Sequence, residues 1–84
     1  MATKVEIYTW TYCPYCIRAK RLLDTKGVEY KEHCIDGDED ARDKMRQRAN
    51  GRSSLPQIFI NDRHIGGCDD LYALERQGEL EPLL

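Results

Sequence analysis

The sequence predicts an α/β fold in which a four-stranded mixed sheet is flanked by three helices, in the order β-α-β-α-β-β-α. Strand-like apolar runs alternate with helical runs through the first 54 residues, and two further strand-like runs then follow each other directly. Two strands joined by a helix form a right-handed parallel crossover. The final two strands form an antiparallel hairpin, so the sheet is mixed. Helices are expected on both of its faces.

The first half of the chain supplies two strands and two helices. Residues 4–9 predict the first strand, and a helix begins near Cys13, with Pro14 at the first helical position, where a missing N–H is tolerated. That helix ends at Gly27. Residues 28–36 predict the second strand. Asp36 or Asp38 then caps a helix that has an acidic first turn and a basic last turn, an order that complements the helix dipole.

The second half supplies the hairpin and the last helix. Residues 55–62, "LPQIFIND", predict the third strand, and residues 63–67, "RHIGG", predict a short fourth strand. Asn61 and Asp62 suit the hairpin turn between them. Asp69 is expected to cap the last helix, which Gly78 closes.

Length and charge restrict the classes of function. The 84 residues are expected to form one domain, 1–84, with 13 basic and 15 acidic residues and a net charge of −2. That balance provides no basic surface for nucleic acid or an anionic membrane. No apolar run approaches the ~20 residues that span a bilayer. Because "MATKVEIYT" has no signal-like apolar core, we expect a soluble, cytoplasmic protein.

Residues 9–20, "TWTYCPYCIRAK", contain a CxxC pair between the first strand and the first helix, which is typical of a thioredoxin-like redox site. A sulfur at a helix start faces unpaired N–H groups and the positive end of the dipole, which lower a thiol pKa from about 8.5. Pro14 has no N–H, so the donors would come from Tyr15 and Cys16. Cys13 is expected to be the exposed nucleophile. Cys16, one turn inside the helix, would resolve the mixed disulfide.

The alternatives to a reactive dithiol are a structural zinc site and a permanent disulfide. A structural zinc site needs a second CxxC or a suitably spaced His pair. The chain offers only His33, Cys34, His64 and Cys68 for this purpose, so no metal site is predicted. A purely structural Cys13–Cys16 bridge closes a very short loop and gains little chain entropy. A reactive dithiol is therefore the preferred interpretation.

Three motifs resemble the glutaredoxin family. "CPYC" at 13–16 is similar to its active site, "SLPQIFI" at 54–60 to its TVP segment, and "HIGGCDDLYAL" at 64–74 to its glutathione-binding Gly-Gly and Asp-Asp elements. The resemblance runs in register over nearly the whole chain. It is that of a small bacterial-type dithiol glutaredoxin. It implies a thioredoxin fold and a glutathione-dependent thiol–disulfide oxidoreductase, with glutathione as co-substrate and no tightly bound cofactor.

The resemblance also implies a glutathione site. Pro56 takes the cis-proline position and exposes the backbone of Leu55 for strand-like pairing with the peptide. The N–H groups at the start of the last helix would bind the γ-glutamyl carboxylate, and an Asp side chain would accept from its ammonium group. Related glutaredoxins commonly carry a lysine, which reaches the glycine carboxylate of glutathione, where this chain has Trp10, so that contact is absent or replaced here. Arg48 and Arg52 are the nearest candidates to replace it. The implied contact residues are Tyr15, Arg48, Arg52, Leu55, Pro56, Gly67, Cys68, Asp69 and Asp70.

Several further expectations complete the prediction. Cys34 is expected to be a small buried or half-buried residue, Cys68 to be accessible, and neither histidine to have a carboxylate or serine partner. By analogy, clients would be ribonucleotide reductase, other reductases and glutathionylated proteins, with the chain acting as a monomer. Two rival functions remain open. One is an iron–sulfur cluster carrier in which two chains use Cys13 and two glutathiones, although Pro14 should hinder bridging. The other is a reductant fed by thioredoxin reductase.

Overall fold

The protein, described from residue 3 to residue 84 by a computed structural model, has the expected order of elements. Among these residues the secondary structure comprises β1 (Val5–Thr9), α1 (Pro14–Thr25), β2 (Lys31–Cys34), α2 (Glu39–Arg48), β3 (Gln57–Ile60), β4 (Arg63–Gly66), α3 (Cys68–Arg76) and a short 3₁₀ helix (Glu81–Leu83). None of the helices in this part of the chain combines the length and the apolar character needed to cross a membrane.

The four strands form one mixed sheet in the order β2-β1-β3-β4. Strand β1 pairs in parallel with β2 and antiparallel with β3, and β3 pairs antiparallel with β4. The parallel crossover and the hairpin are thereby confirmed. Asn61 and Asp62 make the hairpin turn with φ angles of 51° and 65°, the left-handed region that a tight two-residue turn requires.

All four strands are shorter than the sequence predicted: β1 and β4 by one residue each, and β2 and β3 by several. Pairing of β2 with β1 starts only at Lys31; Val28 and Tyr30 pack instead against the apolar core. Strand β3 starts at Gln57 rather than at residue 55, because Pro56 has no N–H to donate to the ladder.

The sheet separates two apolar layers. One layer contains Val5, Ile7, Ile58 and Ile60 together with side chains of α1 and α3. The other contains Tyr8 and Phe59 together with Met45 and Ala49 of the α2 segment. Helices α1 and α3 therefore cover one face of the sheet, and α2 covers the other. The loop from the C-terminal end of β1 leads directly into α1.

The helix starts correct one sequence prediction. Asp38 caps α2, as one of the two predicted caps, by accepting from the Ala41 N–H at 3.0 Å. Helix α3, however, begins at Cys68 with Gly67 as its N-cap, so the prediction that Asp69 caps it is wrong. The helix start is capped instead by the carboxylate of Asp70, which accepts a hydrogen bond from the Gly67 N–H at 2.9 Å. Asp69 remains exposed.

Candidate active site

The cysteine pair lies at the junction of β1 and α1. Cys13 is the N-cap of α1, with extended backbone, and it forms a disulfide with Cys16, their Cα atoms 5.1 Å apart. Pro14 occupies the first turn, as expected. Because β1 is buried throughout, it fixes the loop that presents both sulfurs.

The two sulfurs have different surroundings. Cys13 is half-buried, whereas Cys16 is only 1% exposed and lies beneath it. The Cys16 N–H donates to Cys13 Sγ at 3.1 Å, so of the two predicted donors it is Cys16 that makes this bond. The same N–H would stabilise a thiolate on Cys13 after reduction. The geometry therefore favours Cys13 as the sulfur that an external disulfide reaches first.

A cleft lies next to the dithiol, between α1, the loop before β3 and the start of α3. All of the predicted glutathione contacts except Arg48 line it, and Ser54 joins them; the lining residues are Tyr15, Arg52, Ser54, Leu55, Pro56, Gly67, Cys68, Asp69 and Asp70. The Leu55–Pro56 peptide bond is cis. The cleft thus combines an aromatic ring from α1, free backbone from the Pro56 loop and the N-terminus of a helix.

One end of the cleft is held by a carboxylate. Asp70 accepts from the Gly67 N–H and, at 3.0 Å, from Nη1 of Arg52; the Gly67 N–H and then Arg52 lower the pKa of Asp70. Gly66 has a φ of +124°, and a Cβ there would collide with the Asp70 carboxylate. The close approach of Asp70 to the Gly-Gly pair therefore requires glycine at residue 66.

Arg48 is not part of this cleft, which corrects the sequence prediction. Its guanidinium binds both oxygens of Glu6, at 3.1 and 3.2 Å, and donates to the Tyr8 hydroxyl at 2.9 Å. It also lies 4.1 Å from the centroid of the Phe59 ring. Glu6, whose side chain is 7% exposed, binds the arginine on the face of the sheet that α2 covers, away from the cleft.

Two residues that sequence reasoning did not select lie near the site. Arg42 of α2 stacks over the Trp10 ring, 5.2 Å from its centroid, and donates to the Ser53 carbonyl at 3.3 Å. Gln57, fully buried directly after Pro56, bonds to Ser54. The available sequence signal for Gln57 was its position, since it is the one polar residue in the otherwise apolar run Gln57–Ile60.

Three expectations about single residues are wrong. Cys68 is buried, with 4% exposure, and burial raises the pKa of its thiol. Cys34 is exposed rather than buried. His33 does have a carboxylate partner, because its Nε2 lies 3.0 Å from Oε2 of Glu6.

Between residues 3 and 84 no group of three or more His, Cys, Asp or Glu side chains is arranged to hold a metal ion.

A helix-capping dithiol in a β-α-β-α-β-β-α fold, next to a cleft that a cis-proline loop lines, defines a thiol–disulfide exchange protein of the thioredoxin fold.

Comparison with known proteins specifies the family. The model of the glutaredoxin family matches residues 5–65. The chain is 63% identical over 84 residues to a "Probable glutaredoxin" of Synechocystis sp., an alignment that covers 100% of this chain and 96% of that one. It is 59% identical over 80 residues to glutaredoxin 3 of Escherichia coli, covering 95% of each.

Solved structures agree with this assignment. A buckwheat glutaredoxin–glutathione complex superimposes with a TM-score of 0.88 at 34% identity, covering 98% of this chain and 76% of that one. A glutaredoxin of Brucella melitensis gives a TM-score of 0.84 at 52% identity, covering 96% and 87%. The chain belongs to the glutaredoxin family. It is a glutathione-dependent thiol–disulfide oxidoreductase that acts through Cys13 and Cys16.

Proposed function

We propose that the cleft beside the dithiol binds glutathione as the co-substrate, and that binding there directs its sulfur to Cys13. The observation that carries the proposal is the continuity of the cleft, which runs from Tyr15, two residues after Cys13, to the N-terminus of α3. The similarity to a glutaredoxin whose structure contains glutathione supports it.

The reaction follows from the order of the two sulfurs. The Cys13 thiolate attacks one sulfur of a client disulfide, forming a mixed disulfide and releasing the other client sulfur as a thiolate, which takes a proton. Cys16 then loses its proton and attacks Cys13 Sγ, which releases the second client thiol and leaves the Cys13–Cys16 disulfide. One glutathione thiolate opens that bond at Cys13. A second glutathione thiolate attacks the sulfur of the first, which forms glutathione disulfide and releases the Cys13 thiolate.

Each end of glutathione has a partner in the cleft. The backbone of Leu55 pairs with the extended peptide, as a strand does. The N–H groups at the start of α3 bind the γ-glutamyl carboxylate. Asp69, which is exposed, accepts from the neighbouring ammonium group, because Asp70 is already engaged by Gly67 and Arg52.

The second carboxylate of glutathione also needs a cation. Arg52 lines the cleft and is half-exposed, while Arg42 lies on the ring of Trp10 at the other rim of the active-site loop. We propose that these two guanidinium groups, rather than Arg48, supply the positive charge that the family's lysine would otherwise give.

The setting of the reaction completes the proposal. We propose one glutaredoxin domain over residues 1–84, working as a monomer in the cytoplasm. Glutaredoxin potentials of about −200 to −230 mV suit exchange with the cytosolic glutathione pool. Client proteins would present disulfides or glutathionylated cysteines, and ribonucleotide reductase and other reductases are candidates by family analogy alone.

The test is a coupled assay in which glutathione and glutathione reductase regenerate the protein. Cys13→Ser should abolish turnover of every disulfide. Cys16→Ser should still reduce glutathione mixed disulfides, because glutathione itself attacks the Cys13 adduct, but should lose protein disulfides. Cys34→Ser is the matched control, since Cys34 is an exposed thiol outside the site. Turnover by Cys13→Ser, or activity that does not depend on glutathione, would overturn the proposal.

A further inference from the structure

A chain of partly buried hydrogen bonds joins the loop that precedes Pro56 to strand β4. Gln57 is fully buried, and its Nε2 donates to the Ser54 carbonyl at 2.9 Å and to Ser54 Oγ at 3.2 Å. Its Oε1 lies 2.7 Å from Nε2 of His64, on the neighbouring strand β4.

The contacts fix the direction of every bond in this chain. Two oxygens of Ser54 face one end of the Gln57 amide, so that end must be the NH₂ group. The other end is then an oxygen, and only a protonated Nε2 of His64 can donate to it. His64 therefore holds the Gln57 amide in the orientation in which its NH₂ group donates to Ser54.

The bond to the Ser54 carbonyl also orients the next N–H. The Ser54–Leu55 peptide is trans, since the cis bond recorded in the described chain is Leu55–Pro56. In a trans peptide the C=O and the N–H point in opposite directions. With the carbonyl drawn inward to Gln57, the Leu55 N–H points outward, to the cleft that Leu55 lines. Within residues 3–84 no hydrogen bond is recorded from this N–H.

We propose that Gln57, oriented by His64, is a positioning residue that turns the Leu55 N–H toward the backbone of the glutathione moiety and thereby sets the preference for glutathione mixed disulfides. The inference rests on the proposed glutathione cleft. It assigns control over substrate choice to the buried Gln57 on β3 and the half-buried His64 on β4, although neither side chain lines the cleft.

Gln57→Leu tests this directly, because leucine fills a similar volume without a donor. The freed Ser54–Leu55 peptide can then rotate, and its N–H is no longer held toward the ligand. Ile60→Val is the matched control: it lowers packing in the same buried strand but touches neither Ser54 nor the cleft.

The experiment is a single-turnover reaction of the fully reduced protein with one cysteine-containing peptide in two forms. One form is a mixed disulfide with glutathione, and the other is a mixed disulfide with 2-mercaptoethanol, which has no peptide backbone to pair with Leu55. No glutathione is needed as reductant. The ratio of the two second-order rates therefore reports recognition of the glutathione moiety.

Wild type and Ile60→Val should prefer the glutathione form. Gln57→Leu should lose roughly threefold to tenfold of that preference, the effect of one misdirected hydrogen bond, while its rate with the 2-mercaptoethanol form stays unchanged. If Gln57→Leu does not fold, His64→Leu, which releases the Gln57 amide, should show the same selective loss on a smaller scale.

Three outcomes would overturn the inference. An unchanged preference in Gln57→Leu, or in His64→Leu where that variant is the one measured, removes the role of this pair and leaves the glutathione cleft standing. An equal loss of rate with both substrates shows damage to the dithiol rather than to recognition. No preference in the wild type removes the proposed cleft itself, and the inference with it.

Discussion

Replacing Arg48 with methionine should destabilise the protein in a pH-dependent way. Arg48 binds both oxygens of the buried Glu6. These bonds first, then the hydrogen bond of His33 and the charge of Lys4, lower the pKa of Glu6 from 4.5 to about 2 against the opposing effect of burial. At ~1.36 kcal/mol per pKa unit, that lowering corresponds to about 3 kcal/mol of stability at neutral pH. Breaking a buried ion pair on one side costs ~3–5 kcal/mol, so the two figures agree.

The sign of the pH dependence follows from the lowered pKa. A carboxyl group whose pKa is lower in the folded state stabilises the fold above its unfolded pKa, 4.5, and loses that contribution as pH falls through about 2. The gap in unfolding free energy between wild type and Arg48→Met should therefore be about 3 kcal/mol at pH 7 and about 1 kcal/mol at pH 3. Carboxyl groups that Arg48 does not contact are common to both proteins and cancel, and the pair of Arg48 with the exposed Asp62, at 3.4 Å, adds little.

The assay is urea unfolding of both proteins at the two pH values, with the dithiol kept in one redox state. Arg46→Met is the control, because Arg46 lies on the exposed face of the same helix and pairs only with Asp43 among the described residues; it should change stability by less than ~0.5 kcal/mol. A gap of equal size at pH 7 and pH 3 would show that Arg48 acts through packing on Tyr8 and Phe59. Arg48→Met should also leave the KM for a glutathionylated substrate unchanged. A raised KM would show that Arg48 contributes to glutathione binding after all.

Four other predictions concern the dithiol, the cleft and its rims. In the reduced protein, the Cys13 thiolate should absorb near ~240 nm and titrate well below about 8.5, because the Cys16 N–H donates to it; titration at or above that value would contradict the assigned order of the sulfurs. Trp10→Lys should lower the KM for a glutathionylated substrate severalfold at most and leave kcat nearly unchanged, as expected for an exposed ion pair worth ~0.2–1 kcal/mol. Arg42→Ala should raise that KM by a similar factor. Steady-state kinetics at low and moderate salt measure both variants, and an unchanged KM in both would show that neither position contacts the glycine carboxylate of glutathione. Asp70→Ala should lower Tm by ~4–8 °C, since it removes a helix-capping acceptor worth about 1 kcal/mol, and an unchanged Tm in a thermal scan would show that the Gly67 N–H finds another acceptor.

Local signals in the sequence were enough for the elements and for the dithiol. Pro14 after Cys13, Asp38 before an acidic turn and Asn61-Asp62 between two apolar runs each act within a few residues of themselves, and the structure shows each in its predicted place. The sequential motifs around Pro56 and Gly67 likewise led to residues that line one cleft.

Contacts between distant parts of the chain could not be predicted in the same way. Arg48 and Arg52 are both close in sequence to Pro56, but one turns to Glu6, 42 residues away, and the other to Asp70. Which arginine faces the cleft depends on the orientation of the last turn of α2 over the sheet, and no short pattern encodes that orientation. Gln57 was overlooked for a related reason, because a buried polar residue shows its purpose only when its partners are in view.

The two outer strands of the sheet bear on how the protein behaves when it is abundant. Among residues 3–84, strands β2 and β4 each have one side that pairs with no other strand, and such sides can recruit a strand of another molecule. Both are only four residues long. They carry the charged residues Lys31, Glu32 and Arg63, which disfavour edge-to-edge pairing with a strand of another molecule. The fold can therefore expose a reactive sulfur at high concentration while its margins resist the growth of fibrous aggregates.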